Sequence, residues 1–526
     1  MRRASGAAAG RPAFILVVVL AVLVLLTLAC YEFADRSVNE RLAVSRRVKL
    51  AQARAAAMSG VDSVLAMAAD PAFDLSVLTP EQREELFRDV PVTEDGAVTF
   101  RVIDPLSPAD AILFGPRSEG GKINLNALAE ASVDEADARE LMLGLPGIDE
   151  ATADATLDLI DANAEPRAFG AESDAGGGTV RNLPINTLDD LLAVPGVTAA
   201  LLYGEDADAD GVLDPGENDG DASAPPDNAD GILDLGWQAI ITVAGRETNR
   251  QADGTPRINL NADDVQTTAA DAEAIFGAEV GQAIRTLREE QAGDGQSSNA
   301  QAGGGQTGGG QTGGGQTGSG QSGGGQSGGG QSGDDAGASA DGASSNGEGG
   351  RIADISQLFR IDSESDPTLL DPAAYSPDVL AQMYDVLSVT DAETVAGRID
   401  INAAPLEVLI GLPTFDEARA QEVFDGAGTW QSPMDLVTVG LLTVEDLQRA
   451  GPLLTTRSRT YAFSSFGSVS GGPVVRVDAI IDAAAWPPRI LRLTDLSRLG
   501  PGRELNTVRP AIDGGESPAV TQAEDR

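Results

Sequence analysis

The chain has 526 residues, with 36 Lys plus Arg against 81 Asp plus Glu, a formal net charge of −45, and no histidine. A surface that acidic repels nucleic-acid phosphates, and without histidine no Ser-His-Asp, Cys-His or histidine-metal site can be built within the chain. Its one cysteine, Cys30, excludes an intrachain disulfide and says little about redox compartment.

The first predicted element is the uncharged run AFILVVVLAVLVLLTLAC, residues 13–30. At ~1.5 Å per residue it covers about 27 Å, close to the ~30 Å of a bilayer core. Arg2, Arg3 and Arg11 precede it, so residues 1–12 are expected to be a cytoplasmic leader with the bulk of the chain outside. A cleaved signal peptide is the competing reading. Against it, the run exceeds the usual ~7–15-residue apolar core, and no small-residue cleavage site marks its edge. Ala, Leu, Arg and Glu dominate residues 31–69, with no proline before Pro71, so one helix over 13–69 is predicted, starting in lipid and continuing into water.

Residues 70–120 contain two predicted strands, AVTFRVID (97–104) and AILFG (111–115). The region 121–290 reads as helical and repeats a theme: GKINLNALAE (121–130), LMLGLPGI (141–148), LPINTLDDLLAVPGVTAALLYG (183–204) and RINLNADDV (257–265). GRIDINAAPLEVLIGLPTF (397–415) repeats it again within 351–454. Asn suits the cap of a following helix, and Gly accepts the left-handed turn between two helices. Pro146–Gly147 and Pro195–Gly196 are therefore the expected turns of units like helix-hairpin-helix modules. Such modules often bind DNA backbone, but DDLLAVPGVTAALLYGED carries four acidic residues and no basic one. A packing role is expected, with no nucleic-acid partner. Residues 291–350 read as a disordered Gly/Gln/Ser-rich linker, with glutamines five residues apart from Gln306 to Gln331. Over 455–500 three antiparallel strands are predicted, turning at Gly471–Gly472, and 501–526 reads as a disordered tail.

Within the helical region, GEDADADGVLDPGEN (204–218) places Asp206, Asp208, Asp210, Gly211, Asp214 and Glu217 at positions 1, 3, 5, 6, 9 and 12 of a calcium loop. The carbonyl of Val212 is the expected seventh-position ligand. Calcium wants ~6–8 oxygens, and this spacing wraps them around one point. A weaker echo, DNADGILDLGW, offers Asn228, Asp230 and Asp234, with Pro226 and Trp237 at the first and twelfth ligand positions. Residues 205–234 hold eleven acids and no Lys or Arg, a density that favours a cation. A structural calcium ion is expected. A bare acidic loop is the alternative, and a sensor is disfavoured because no Met-rich groove accompanies the loop. No catalytic residues are assigned and no enzyme is predicted: Asp158 and Asp161 have a spacing open to a glycosidase reading, but with 81 acids such pairs arise by chance.

Four segments together resemble the K-type minor pseudopilin family of the type II (general) secretion pathway: GRPAFILVVVLAVLVLL (10–26), LDLIDANAEP…GAESD (157–174) leading into LPINTLDDLLAVPGV (183–197), GRIDINAAPLEVLIGLP (397–413), and TTRSRTYAF (455–463) with VVRVDAIID (474–482). The resemblance implies an α+β protein with one inner-membrane helix and a periplasmic pilin-like domain bearing an antiparallel sheet. A mostly helical domain would be inserted within that sheet domain. It implies a place at the tip of a pseudopilus, with the I- and J-type minor pseudopilins and the major pseudopilin as partners, and structural calcium. Processing by prepilin peptidase would fall between Gly10 and Arg11. The run 11–31 lacks the glutamate that most pilin-like helices carry near their start, as the K-type family tolerates. The runner-up function is a membrane-tethered periplasmic hairpin protein for DNA uptake or adhesion.

Overall fold

The computed structural model describes residues 11–500 apart from 71–72, 74, 108–110, 131–132, 173–181, 301–350 and 362–366. Gly10 and the rest of the expected leader before it, most of the expected linker and the expected tail lie outside the described residues.

Helix α1 runs unbroken from Arg11 to Ala68. Pro12 is tolerated in its first turn, where an N–H would have no intrahelical partner. Its two halves differ in environment. Leu16, Leu20, Leu25, Tyr31 and Phe33 are exposed, while Ala53, Ala56, Ala57, Val61 and Val64 are fully buried. That second half lies on an antiparallel sheet of four main strands, β1 (Val98–Ile103), β2 (Thr460–Val469), β3 (Val474–Asp482) and β4 (Arg489–Asp495), in that spatial order. Val90–Pro91 extends the β1 edge and Arg117–Ser118 adds a short pairing to β2. The segment 111–115 is not a strand. Phe114 makes a single bridge to Ile103, and the chain then turns through Gly115 at φ 90.

Side chains alternate across the sheet, as a pleat requires. Phe100, Val102, Tyr461, Phe463, Ala479 and Ile481 join Val61 and Val64 of α1 in one core. The opposite face carries Ser464, Phe466, Arg476 and Asp478, with Phe466 directly across from Arg476 in the β2–β3 register.

Between β1 and β2 the chain builds three copies of one helical module. Each opens with a two-residue strand, Ile123–Asn124, Ile258–Asn259 or Ile399–Asp400. Each opening strand pairs in parallel with a return strand at the module's end, Ile241–Thr242, Leu387–Ser388 or Leu454–Thr455. Two residues after the opening strand an asparagine pins a distant loop. Asn126 donates to the carbonyls of Ile185 (2.9 Å) and Val243 (3.2 Å) and accepts from the Ile185 amide (2.9 Å). Asn261 makes the same three contacts with Ile352 and Val389, each at 2.8 Å. Asn402 donates to the Trp430 carbonyl (2.9 Å) and accepts from the amides of Gly428 (2.8 Å) and Trp430 (3.2 Å). Asn126→Ala strands three backbone groups at once, so a loss of roughly 2–4 kcal/mol is expected in denaturant unfolding. Asn186→Ala, at an exposed neighbouring position, is expected to change stability by less than about 0.5 kcal/mol.

The chain divides into two compact units: Met1–Arg257 with Ser376–Val386 and Asp391–Arg526, and Ile258–Tyr375 with Leu387–Thr390. The second unit is the middle module, so it begins inside the expected 121–290 span. Its helices Val265–Phe276 and Ala278–Ala300 pack against each other, and the latter runs on to residue 300, into the span 291–350 expected as linker. In the first unit Arg246–Thr248 pairs antiparallel with Thr394–Ala396, so the chain departs and returns side by side. The whole is a long apolar helix, a mixed α/β region with an open sheet, and an inserted, mostly helical segment.

Candidate cation site

Pro146–Gly147 and Pro195–Gly196 each link two short helical segments, and the two links pack against each other. Helices Glu135–Leu143 and Glu150–Ile160 flank Pro146–Gly147, with Gly147 at φ 72. Pro195–Gly196, with Gly196 at φ 96, joins the 3-10 helix Leu188–Ala193 to the α-helix Ala199–Tyr203. A Cβ on Gly147 would sit 2.9 Å from Leu201 of the second hairpin, and one on Gly196 would sit 2.5 Å from Thr152 of the first. The Pro146 carbonyl accepts from the indole of Trp237 at 2.8 Å. Asp149 and Asp416 cap the second helices of hairpins one in each outer module, with the same backbone angles (φ −111, ψ 171). These turns are engaged in the module's own packing.

The acidic loop is organised around its first carboxylates. The Asp206 oxygens accept the amides of Asp210 (3.1 Å) and Gly211 (2.9 Å), and Asp210 accepts from Val212 (2.7 Å). This sequence of short turns aims carboxylates inward, and oxygens of Asp206, Asp208 and Asp210 lie within 4.8 Å of one another. Asp208 Oδ1 is buried without a hydrogen-bond partner. An orphaned carboxylate oxygen amid like charges is what an all-oxygen cation site looks like before the cation is counted. Glu217 is nearby and buried, but its oxygens hold the loop shut by accepting the amides of Ala207 (2.8 Å) and Asp214 (3.0 Å). Asp214 and Glu217 are outside the three-carboxylate cluster, and Val212 contributes its amide to the turn.

One contributor has no counterpart in the loop's own spacing. Arg476 on β3 is buried beneath the loop, donating to the carbonyl of Asp208 at 3.2 Å and to that of Ala209. It is steadied by Asp478 at 3.2 Å and by the Phe466 ring 5.9 Å away. The loop is thereby seated on the face of the sheet opposite α1. The only sequence signal is a charge in the middle of VVRVDAIID, which reads equally well as a solvated outer face.

The second acidic stretch turns on itself. Asn228 and Asp230 bond to each other (3.0 and 2.9 Å), Asp230 accepts from Ile232 (2.8 Å), and Asp234 accepts from Gly236 (2.8 Å). Asn228, Asp230 and Asp234 are not gathered into a shared cluster among the described residues. The residue gathering backbone amides there is Asp227, which accepts from Asp219, Gly220 and Ala229. Trp237, at the would-be twelfth position, is a core residue.

Burial pushes the Asp208 carboxyl up to about 6, aided by repulsion from Asp210, Glu217 and Asp214 and opposed by Arg476. Burial raises Asp206 as well, against the pull of its two amide bonds. A carboxyl that is harder to ionise in the folded state binds its proton more tightly there. Metal-free protein therefore gains stability as pH falls from 7 through about 6. A bound cation reverses the sign, because protons compete for the same oxygens. The chelated chain should melt higher at pH 5.5 than at pH 7.5, relative to Asp208→Asn, which shares nearly all the background charge. Scanning fluorimetry of both chains reads this. An identical pH response in the two would detach Asp208 from the effect.

No family model matches the chain, and neither does any curated protein. A solved structure, the crystal structure of the GspK-GspI-GspJ complex from the enterotoxigenic Escherichia coli type 2 secretion system, aligns over 88% of this chain and 99% of that chain, with 13% identity and a TM-score of 0.28. A likeness that distant carries no inference about function.

Proposed function

We propose that this chain is a minor pseudopilin-like subunit, anchored in the inner membrane by the first half of α1, with its bulk in the periplasm, at the tip of a type II secretion pseudopilus. The observation that carries this is the division of α1. An exposed apolar half continues without a break into a half seated on an antiparallel sheet, and all the helical modules are inserted between β1 and β2 of that sheet. An apolar helix presented this way suits lipid and the packing of like helices, and the modules add bulk that favours an end position over the interior of a filament. I- and J-type minor pseudopilins and the major pseudopilin are the partners in this reading, and prepilin peptidase acts at Gly10–Arg11. The loop at 206–217 holds one calcium ion through Asp206, Asp208 and Asp210, with Asp214, Glu217 and the Val212 carbonyl completing the shell on closure. The ion would neutralise repulsion and lock the inserted region onto Arg476 of the sheet. The possible second acidic site, Asn228, Asp230 and Asp234, is not needed for this role. The turns at 146–147 and 195–196 are occupied in packing, so the DNA-uptake reading gains no support from them.

The test is affinity purification of the tagged full-length chain from detergent-solubilised membranes, alongside export assays in a deletion strain. Recovery of smaller chains with pilin-like N-terminal helices, together with a secretion defect, is expected. Recovery of none with normal export overturns the proposal.

A further inference from the structure

The three modules repeat a cation as well as an asparagine. Lys122, Arg257 and Arg398 each stand directly before the isoleucine of an opening strand. Two of them have an acid. Lys122 donates to Glu119 at 2.8 Å, with both buried, and Arg398 grips Glu247 through Nε (3.1 Å) and Nη2 (2.9 Å). Glu247 is also held by the threonine of its return strand, Thr455 Oγ1 donating to it at 3.1 Å. Against burial and together with Lys122, Thr242 of the first return strand helps to hold the Glu119 carboxyl below its usual range. Arg257 breaks the pattern, because its Nε is buried with no hydrogen-bond partner.

Arg257 lines a cavity of about 20 Å³ with Arg398, Arg457, Tyr384, Gln431 and Thr455, all in the first unit. Arg457 is paired with Asp385, as Arg398 is with Glu247. Arg257, by contrast, has no ion pair or hydrogen-bonded carboxylate among the described residues, in a chain whose formal net charge is −45. We propose that this cavity is an oxyanion site, in which Arg257 and Arg457 take a single carboxylate that the neighbouring residues do not supply. The planar fork of arginine matches a carboxylate in two parallel hydrogen bonds. By the same measure of volume a water needs roughly 10–15 Å³, so the space admits a carboxylate head and no ring, with the remainder of the ligand outside. Burial, followed by repulsion from Arg398 and Arg457, lowers Arg257 to about 10 in spite of Glu247 and Asp385. An anion arriving at the site would relieve that repulsion.

Detergent-solubilised full-length chain is titrated with acetate, and separately with the blocked peptide acetyl-Gly-Glu-Gly-amide, while chloride holds ionic strength constant. The control matters because added salt of any kind screens so acidic a surface. Saturable rises in melting temperature are expected, with the apparent affinity weakened at least about tenfold in Arg257→Met, the scale of one lost charge-assisted contact. Arg257→Met removes a half-buried charge that has no ion-pair partner among the described residues, so its anion-free melting temperature should equal or exceed that of the parent. Should that variant fail to fold, Arg457→Gln, at a side chain 42% exposed, reads the same loss. Equal potency of the two probes identifies a free small carboxylate as sufficient, whereas tighter peptide binding identifies a protein-borne acidic side chain. Either result upholds the site. No difference between probe and chloride, or an undiminished response in both variants, overturns it.

Discussion

Asp208→Asn is expected to raise the melting temperature of the chelated full-length chain and to remove most of the rise that calcium gives the parent. The two signs have one cause. Without a cation, Asp208 Oδ1 is a buried, unpartnered oxygen beside other carboxylates, and removing its charge relieves repulsion. With calcium, the same oxygen is a ligand, and an amide replaces it poorly. Binding to the folded state alone stabilises by RT ln(1 + [L]/Kd), about 2.7 kcal/mol when free calcium is ~100 times Kd. At roughly 2–4 °C per kcal/mol for a domain of some hundreds of residues, the parent should gain about 5–10 °C on calcium addition. Magnesium should do less, because it demands a tighter octahedral shell. Glu217→Gln is the harsher change and the less specific one. Gln keeps one acceptor but turns an NH₂ toward the amide of Ala207 or Asp214, so it should lower stability with and without calcium. No calcium-dependent shift in the parent at millimolar concentration would reduce the loop to an acidic surface.

Long-period features of the fold are legible in the sequence. Helix α1, predicted over 13–69, runs 11–68, and the strands expected at 97–104 and across 460–496 are formed, with the Gly471 turn between β2 and β3. The Ile-Asx-Ile/Leu-Asn phrases are visible as repeats because the same four-residue pattern recurs at 123–126, 258–261 and 399–402. Their partners are not. A return strand of two residues, such as Leu454–Thr455, has no periodicity to detect, and its parallel pairing with residues far back in the chain is fixed by tertiary context. That is why the modules read as loose helical hairpins when each is a closed unit clasped at both ends. The acidic loop shows the same division. Spacing singles out Asp206, Asp208 and Asp210 together, and local turns do gather those three carboxylates. Arg476 lies more than 260 residues away and its contact depends on how the module docks. Spacing alone also nominates Glu217 as a ligand, and its competing task of accepting two backbone amides is visible only once the loop is closed.

A large single-residue loss of stability is expected from Gly467→Val, where α1 crosses β2. A Cβ at this position would lie 1.9 Å from the Ala53 carbonyl oxygen and 2.4 Å from the Ala57 nitrogen. Both are helix backbone atoms, which cannot swing aside as a flexible side chain would. The approach is close because α1 offers only Ala53, Ala56, Ala57 and Gly60 to the sheet here. Ser465 takes advantage of it by donating to the Ala57 carbonyl at 2.7 Å. To admit a valine side chain the helix must lift, and that breaks the Ser465 bond and opens the contact of Val61 and Val64 with Phe100 and Phe463 further along. Overpacking a rigid core site costs ~1–3 kcal/mol, and a backbone clash that also spoils neighbouring packing belongs at or above the top of that range. Ser468→Ala, one residue on and facing the other way, loses only its 2.8 Å bond to Thr99 and should cost about 1 kcal/mol or less. Denaturant unfolding of the detergent-solubilised chains compares the two. Because α1 joins the apolar half to the sheet, Gly467→Val should also make the helix around residues 50–60 newly sensitive to limited proteolysis. Equal stability of the two variants would mean that α1 is not seated on β2 at this crossing, and the pilin-like reading would lose the helix–sheet contact on which it depends.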